Sequence, residues 1–325
     1  MRRREFIAIA SSAAAFAPFA AHAQASSAPV IGLLSGTHFN KPEVDGVVNG
    51  LADAGFKDGD NVRLDYVSAE GKYDLLPSLA ADLARRNVAV IVTIGGAASA
   101  PAAKAATATI PIVFANGADP VKLGLVSSLS RPGGNVTGAS FLVNSLSAKR
   151  VEILQMLVPS ATLIGFLVNP ENPSYDSETQ EIAAATRTLG QGLRVQSATG
   201  EADIDAAFKR FAQEPVAAIS VAADAYFLGR RNQIVGLAAE YKLPAIYPRE
   251  EYVVSGGLMS YAPRPADAYR LAGIYAGRIL KGEKPSDLPV QQSVKVYLSV
   301  NLKSAKTLGI DVPPMLLATA DEVIE

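Results

Sequence analysis

The sequence contains no cysteine and no tryptophan, and its 325 residues include only two histidines, His22 and His38. Without cysteine there is no disulfide, no thiolate zinc site, no iron–sulfur cluster and no cysteine nucleophile. Two histidines are too few for a metal cluster, and His38 has no partners in sequence that would make it part of a catalytic triad, so it reads as a loop residue. Neither sign of charge dominates: 30 Lys and Arg stand against 31 Asp and Glu. That balance argues against a nucleic-acid binder working through bulk positive charge. No Gly-x-Ser-x-Gly elbow is present, and Gly95-Gly96 is too sparse for a dinucleotide fingerprint or a phosphate-binding loop. What remains is an ordinary globular composition, 49% apolar and 19% charged, in a chain long enough for two domains.

The first residues read as an address. Met1-Arg2-Arg3-Arg4-Glu5-Phe6-Ile7 is followed by an Ala-rich, weakly apolar run and by Ala21-His22-Ala23. A basic head, a short apolar stretch and an A-x-A site describe an export signal, residues 1–23, cleaved after Ala23. Arg3-Arg4-x-Phe6-Ile7 resembles the twin-arginine motif, with an ordinary secretory signal as the alternative. By either route the mature protein is expected to be exported. No later stretch reaches 18 uninterrupted apolar residues, so a soluble mature chain is expected.

Beyond residue 29 the chain alternates strands and helices. Continuous apolar runs at 29–34, 88–94, 110–115, 163–168 and 217–222 read as buried strands. Helical spacing fills the intervals, for instance Val44, Val47, Val48, Leu51 and Ala52 before Gly55, or the long amphipathic run 266–280. Such alternation predicts parallel sheets wrapped by helices. Arg131-Pro132-Gly133-Gly134-Asn135 breaks the pattern, which then starts afresh, giving two similar α/β halves in series. Asn301 is expected to cap a helix over 302–308.

In open parallel sheets, ligands bind beyond the carboxyl ends of the strands. Those ends carry Ser35 and Thr37, then Gly95 to Ser99, then Asn116 and Asp119. In the second half they carry Asn169, Asn172 and Tyr175, then Asp224, Tyr226 and Phe227, and finally Tyr247, Arg249, Glu250, Glu251 and Ser260. Small hydrogen-bonding groups, helix starts, a few carboxylates and several rings suit a small polar or aromatic molecule. Asp119 serves equally as a helix cap. Asp224 follows a buried strand and could meet an ammonium or cap the next helix. Glu250 and Glu251 read as a solvated face, and no acid–base chemistry is assigned to them.

The string 243–261, Leu-Pro-Ala-Ile-Tyr-Pro-Arg-Glu-Glu-Tyr-Val-Val-Ser-Gly-Gly-Leu-Met-Ser-Tyr, resembles the signature of a family of ABC-transporter substrate-binding proteins that includes tryptophan- and tyrosine-binding members. Arg131-Pro132-Gly133-Gly134-Asn135-Val136-Thr137-Gly138, the ending from Asn301-Leu302-Lys303 to Glu325, and the head Arg2-Arg3-Arg4-Glu5-Phe6 are similar to the same family. The resemblance implies a type I periplasmic binding protein fold: α/β, with two doubly wound parallel-sheet lobes joined by a three-segment hinge. Lobe 1 would comprise 30–141 plus 264–289, and lobe 2 142–263 plus 290–325. The crossings would fall near 140–144, 262–265 and 288–293.

The resemblance further implies a non-catalytic, monomeric periplasmic component of an ABC importer. It would capture an amino acid or an aromatic or apolar carboxylate as the lobes close, and would dock on a membrane permease and its ATPase. No cofactor, metal or nucleic acid is called for. A ligand-sensing receptor subunit, or an exported α/β enzyme, stands as the alternative. In amino-acid-binding relatives the first lobe tends to hold the carboxylate, while an acidic group of the second meets the ammonium. Carried over by position, Ser35, Thr37, Gly96, Ala97, Ala98 and Asn116 are the first-lobe candidates. Asn169, Asn172, Asp224, Tyr247 and Ser260 are those of the second, and Phe141 sits at a crossing. Ala223-Asp224-Ala225-Tyr226 departs from the family pattern, which often has proline near Ala225; loop shape and ligand choice turn on that difference.

Overall fold

A computed structural model describes residues 28–325 apart from Val294. The export signal expected over 1–23, with His22 and the basic head, lies outside the described residues.

The chain opens with β1 (Val30–Ser35), α1 (Lys41–Asp53), β2 (Arg63–Ser68), α2 (Leu76–Arg85), β3 (Val90–Ile94), α3 (Ser99–Ala106), β4 (Ile112–Asn116) and β5 (Val136–Ser140). It continues with α4 (Ser147–Leu157), β6 (Leu163–Val168), α5 (Tyr175–Thr188), β7 (Gly192–Ser197), α6 (Glu201–Gln213), β8 (Ala218–Val221), α7 (Ala225–Gly229), α8 (Arg231–Glu240), β9 (Ala245–Tyr247), α9 (Glu250–Val254) and β10 (Met259–Pro263). It ends with α10 (Ala266–Leu280), β11 (Gln291–Gln292), β12 (Val296–Asn301), α11 (Leu302–Leu308), α12 (Pro314–Thr319) and β13 (Glu322–Ile324).

Two sheets organise these elements. The first has six strands in the order β11-β5-β4-β3-β1-β2, and the second seven in the order β13-β12-β10-β9-β8-β6-β7. Every pairing is parallel except β10 with β12. The sequence explains the parallel arrangement. β3 is Val-Ile-Val-Thr-Ile and wholly buried, so it needs cover on both faces. The edge strand β2 instead alternates buried Leu64 with exposed Arg63. Strand order reverses between β3 and β1 in the first sheet and between β8 and β6 in the second. Crevices open at such switch points.

The chain passes between sheets three times: after β5, after β10 and after β11. Gln291 and Gln292 pair with Ala139 and Ser140 of the first sheet, so the chain leaves that sheet after Gln292, not at the expected boundary between 289 and 290. The two-residue strand carries no periodicity from which sequence alone could assign it to a sheet. The long helix α10 returns to the first lobe and lies against α1. That approach requires glycine: a Cβ on Gly50 would fall 1.9 Å from the Arg270 carbonyl oxygen, and one on Gly273 2.0 Å from that of Val47. Asn301 caps α11 as expected, its side chain accepting from the Ser304 N–H at 3.1 Å. No helix among the described residues is long and apolar enough to cross a membrane.

Below the first crossing lies a buried ion pair. Arg150 and Glu178 approach to 3.1 Å, both essentially without solvent contact. Arg150 also donates to the Val143 carbonyl at 3.0 Å. Glu178 accepts from Ser147 at 2.5 Å, from Asn144 at 3.1 Å and from the Ala223 N–H at 3.2 Å. The pair therefore joins the crossing segment to the loop that carries Asp224.

Candidate functional site

The carboxyl ends of the two sheets face each other across a cleft, and a cavity of about 480 Å³ opens there. Its first-lobe wall comes from the turn after β1 and the start of α1, with Thr37, Phe39 and Glu43, and from Gly71 after β2. Its second-lobe wall comes from α7 and the residues following it, with Ala225, Tyr226 and Arg230, and from Glu251 of α9.

The turn after β1 is fixed by short polar contacts. Ser35 Oγ donates to the Thr37 carbonyl at 2.6 Å, and Ser68 donates to the same carbonyl at 2.8 Å. Gly95 and Gly96 hold φ of +66° and +109°, the left-handed region that glycine enters without strain. The lobes touch at this point, since a Cβ on Gly96 would stand 2.9 Å from the Ala225 Cβ. Ala97 and Ala98 then lead into α3, whose first turn has no side-chain cap. Asn116 accepts from the Ala118 N–H at 3.1 Å, and its buried Nδ2 has no partner among the described residues.

Asp224, the N-cap of α7 next to the second-lobe wall, is a hub of hydrogen bonds and does not itself border the cavity. It caps α7 by accepting from the Phe227 N–H at 3.1 Å. Asn172 donates to it at 2.8 Å and Asn169 at 3.4 Å. A fourth donor arrives from the other lobe, the Tyr73 hydroxyl at 3.2 Å. That hydroxyl also accepts from the Tyr226 N–H at 3.2 Å. Burial pushes the Asp224 carboxyl above its ordinary value, against the opposing pull of these donors. Burial, reinforced by Asp224, holds the Tyr73 proton firmly in place.

A second charged group spans the cleft nearer the hinge. Glu43, 6% exposed, accepts from the Tyr269 hydroxyl of α10 at 2.8 Å. Burial raises its carboxyl pKa, partly offset by Arg249. Arg249, on the second lobe, pairs with Glu251 and lies with its guanidinium carbon 6.0 Å from the centre of the Phe141 ring. Burial alone would lower the Arg249 pKa, but Glu251, Tyr269 and Glu43 outweigh it and raise it. Beside Asn144 and Ser145, Lys122 and Glu181 form an exposed ion pair across the lobes at 2.9 Å.

The expected residues thus divide. Asn169, Asn172 and Asp224 form one connected group, while Thr37 borders the cavity and Ser35, Gly96 and Asn116 support the opposite wall. Phe141 packs edge-on against Tyr269, their centroids 6.0 Å apart. Tyr247 and Ser260 lie inside the second lobe, 1% exposed: Tyr247 stacks on Tyr252 with centroids 4.7 Å apart, and Ser260 Oγ is buried without a partner. Neither borders the cavity. Sequence reasoning passed over Tyr73 and Glu43, and placed Arg249 at a strand end without giving it a role. Tyr73 sits in the turn after β2, a strand end that supplied no candidate, and Glu43 in the first turn of α1. Arg249 and Glu251 pair with each other here instead of forming a purely solvated face.

A family model described as ABC transporter substrate binding protein matches residues 29–324. A tyrosine-binding protein of Clostridioides difficile is 27% identical over 82% of this chain and 76% of its own length. Among solved structures, an ABC domain from Streptococcus pneumoniae in complex with L-Trp is 27% identical, with a TM-score of 0.83 over 92% of this chain and all of that one. A substrate-binding protein with adhesive properties from Clostridium difficile, in a ligand-free, open structure, is also 27% identical, with a TM-score of 0.63 over 91% of this chain and 99% of that one. Two doubly wound lobes, three crossings and a match across nearly the whole described chain lead to one conclusion: the protein has the type I periplasmic binding protein fold and belongs to the ABC transporter substrate-binding protein family.

Proposed function

We propose that the protein is the periplasmic solute-binding component of an ABC importer, working as a monomer that holds an amino acid or an aromatic carboxylate between its lobes and releases it unchanged to a permease driven by an ATPase. The observation that carries this reading is the Tyr73–Asp224 contact. It joins the lobes through buried groups that only a closed cleft brings together. The higher similarity to the Trp-bound relative than to the open, ligand-free one supports a closed arrangement of the same kind. The tyrosine- and tryptophan-binding relatives favour an aromatic amino acid, and Phe39 and Tyr226 on the cavity wall offer rings for one.

In this reading the carboxylate of the guest lies toward Gly96, Ala97 and Ala98, where uncapped N–H groups open α3. Thr37 and Asn116 flank it. Asn169, Asn172 and Asp224 shape the opposite wall and fix how far the lobes close. Export through the N-terminal signal delivers the chain to the compartment where such capture is useful.

A thermal-unfolding screen of amino acids, aromatic acids and small sugars tests the assignment. A binder at 100 times its Kd adds about 2.7 kcal/mol to stability. An upward shift with aromatic amino acids is expected, and a shift confined to sugars would contradict it.

A further inference from the structure

We propose that Glu43 of the first lobe, rather than Asp224 of the second, is the carboxylate that receives the positively charged group of the captured molecule. The proposal rests on the solute-binding reading above and adds to it the residue that selects an ammonium-bearing guest.

Asp224 has little capacity left. Four donors already reach its two oxygens: Asn169, Asn172, Tyr73 and the Phe227 N–H. A carboxylate offers about four lone-pair sites. An incoming ammonium would have to displace Tyr73, and with it the contact that joins the lobes. Asp224 is therefore occupied by closure itself.

Glu43 is in the opposite position. It borders the cavity and is almost wholly buried. Two donors act on it, the Tyr269 hydroxyl on Oε1 and the backbone N–H of Gly95, against four on Asp224. Arg249 is the cation that acts on it, but that guanidinium is already paired with Glu251. Glu43 and Glu251 thus share the single cation Arg249, while Glu70, Arg230 and Arg231 border other parts of the cavity. A buried carboxylate without its own cation is costly, and such groups concentrate where a ligand completes them. A guest carrying one ammonium next to an apolar or aromatic body would give Glu43 a cation of its own and lay its ring toward Phe39 and Tyr226. The bland alternative is that Glu43 merely favours the start of α1 and ties it to α10 through Tyr269.

Two ligands and three variants separate these readings. Calorimetry is run with L-tyrosine and with 3-(4-hydroxyphenyl)propanoic acid, which lacks only the ammonium. The wild-type protein is expected to prefer tyrosine by about tenfold or more, the scale of one charge-assisted hydrogen bond. Glu43→Gln keeps the size of the side chain and its bond to Tyr269, and should shrink that preference to within about threefold. Asp224→Asn should weaken both ligands alike and leave their ratio unchanged. Tyr269→Phe removes the tether between α1 and α10 but keeps the charge, so its preference for tyrosine should survive even if stability falls. An undiminished preference in Glu43→Gln, or a collapsed one in Asp224→Asn, overturns the proposal. A wild-type protein that binds both ligands equally overturns it too, while leaving solute capture standing. A wild-type protein that binds neither overturns it together with the aromatic-ligand reading.

Discussion

Tyr73 and Asp224, 151 residues apart in the chain, meet across the cleft with the tyrosine hydroxyl donating to Oδ2 at 3.2 Å. The same hydroxyl takes the Tyr226 N–H, so its donor and acceptor capacities are both used on the other lobe. Opening the cleft would part Tyr73 from both Asp224 and Tyr226. The contact works as a latch whose full value exists only in the closed state, which is how a bound guest and closure reinforce each other.

Tyr73→Phe deletes the latch and little else. The closed state loses a buried bond to a charged group, a contribution of about 1.5–3 kcal/mol. Ligand release should accelerate by tenfold or more while association changes little, because losses of this kind fall mainly on the off-rate. Stopped-flow measurement of release checks this; an unaltered rate would show that the hydroxyl plays no part in closure.

The buried Arg150–Glu178 pair gives a stability prediction. Arg150→Met leaves Glu178 charged, buried and without its cation. Breaking such a pair from one side costs about 3–5 kcal/mol. Urea unfolding should show a loss on that scale. The double variant Arg150→Met/Glu178→Leu should recover much of it, because the stranded charge is gone. A single variant as stable as the wild type would contradict the account of this pair.

Acidification should weaken capture of an ammonium-bearing guest. Burial raises the Glu43 pKa, so this carboxyl takes up its proton at higher pH than an exposed glutamate does. The groups facing it are Arg249 and Tyr269, which keep their protons through this range, and Glu251. Affinity for L-tyrosine should fall as pH drops from 7.5 to about 5, and Glu43→Gln should flatten that slope. Stability runs the other way for the same group. A carboxyl whose pKa is raised on folding binds protons more readily in the folded chain, so its burial cost is full above the folded pKa. That cost disappears as pH falls below the unfolded value. Calorimetry across the range separates the two effects, and an affinity that does not vary with pH in the wild type would contradict the role given to Glu43.

Much of the framework was legible in the sequence because it depends on long or strongly patterned segments. β3, β4, β6 and α10 fall where apolar runs and helical spacing place them, and Asn301 caps α11 as its residue type predicts. The elements that escaped are short. α7 spans five residues and β11 two, too few to show a period. Strand-end reasoning groups Asn169, Asn172 and Asp224, which the fold joins by hydrogen bonds beside the cavity, and it includes Tyr247 and Ser260, which packing turns into the second lobe. It passes over Tyr73 because the partner that gives the hydroxyl meaning lies in the other lobe. It passes over Glu43 because an acid in the first turn of a helix already has an ordinary explanation. Both depend on how the two lobes come together, which no local pattern encodes.

Titrating the purified protein with L-tyrosine and L-tryptophan in a calorimeter, and then identifying the molecule recovered from the complex, tests capture without conversion most directly. Saturable one-to-one binding with the amino acid recovered unaltered is the predicted result. The absence of binding to either, or recovery of a chemically changed product, would contradict it.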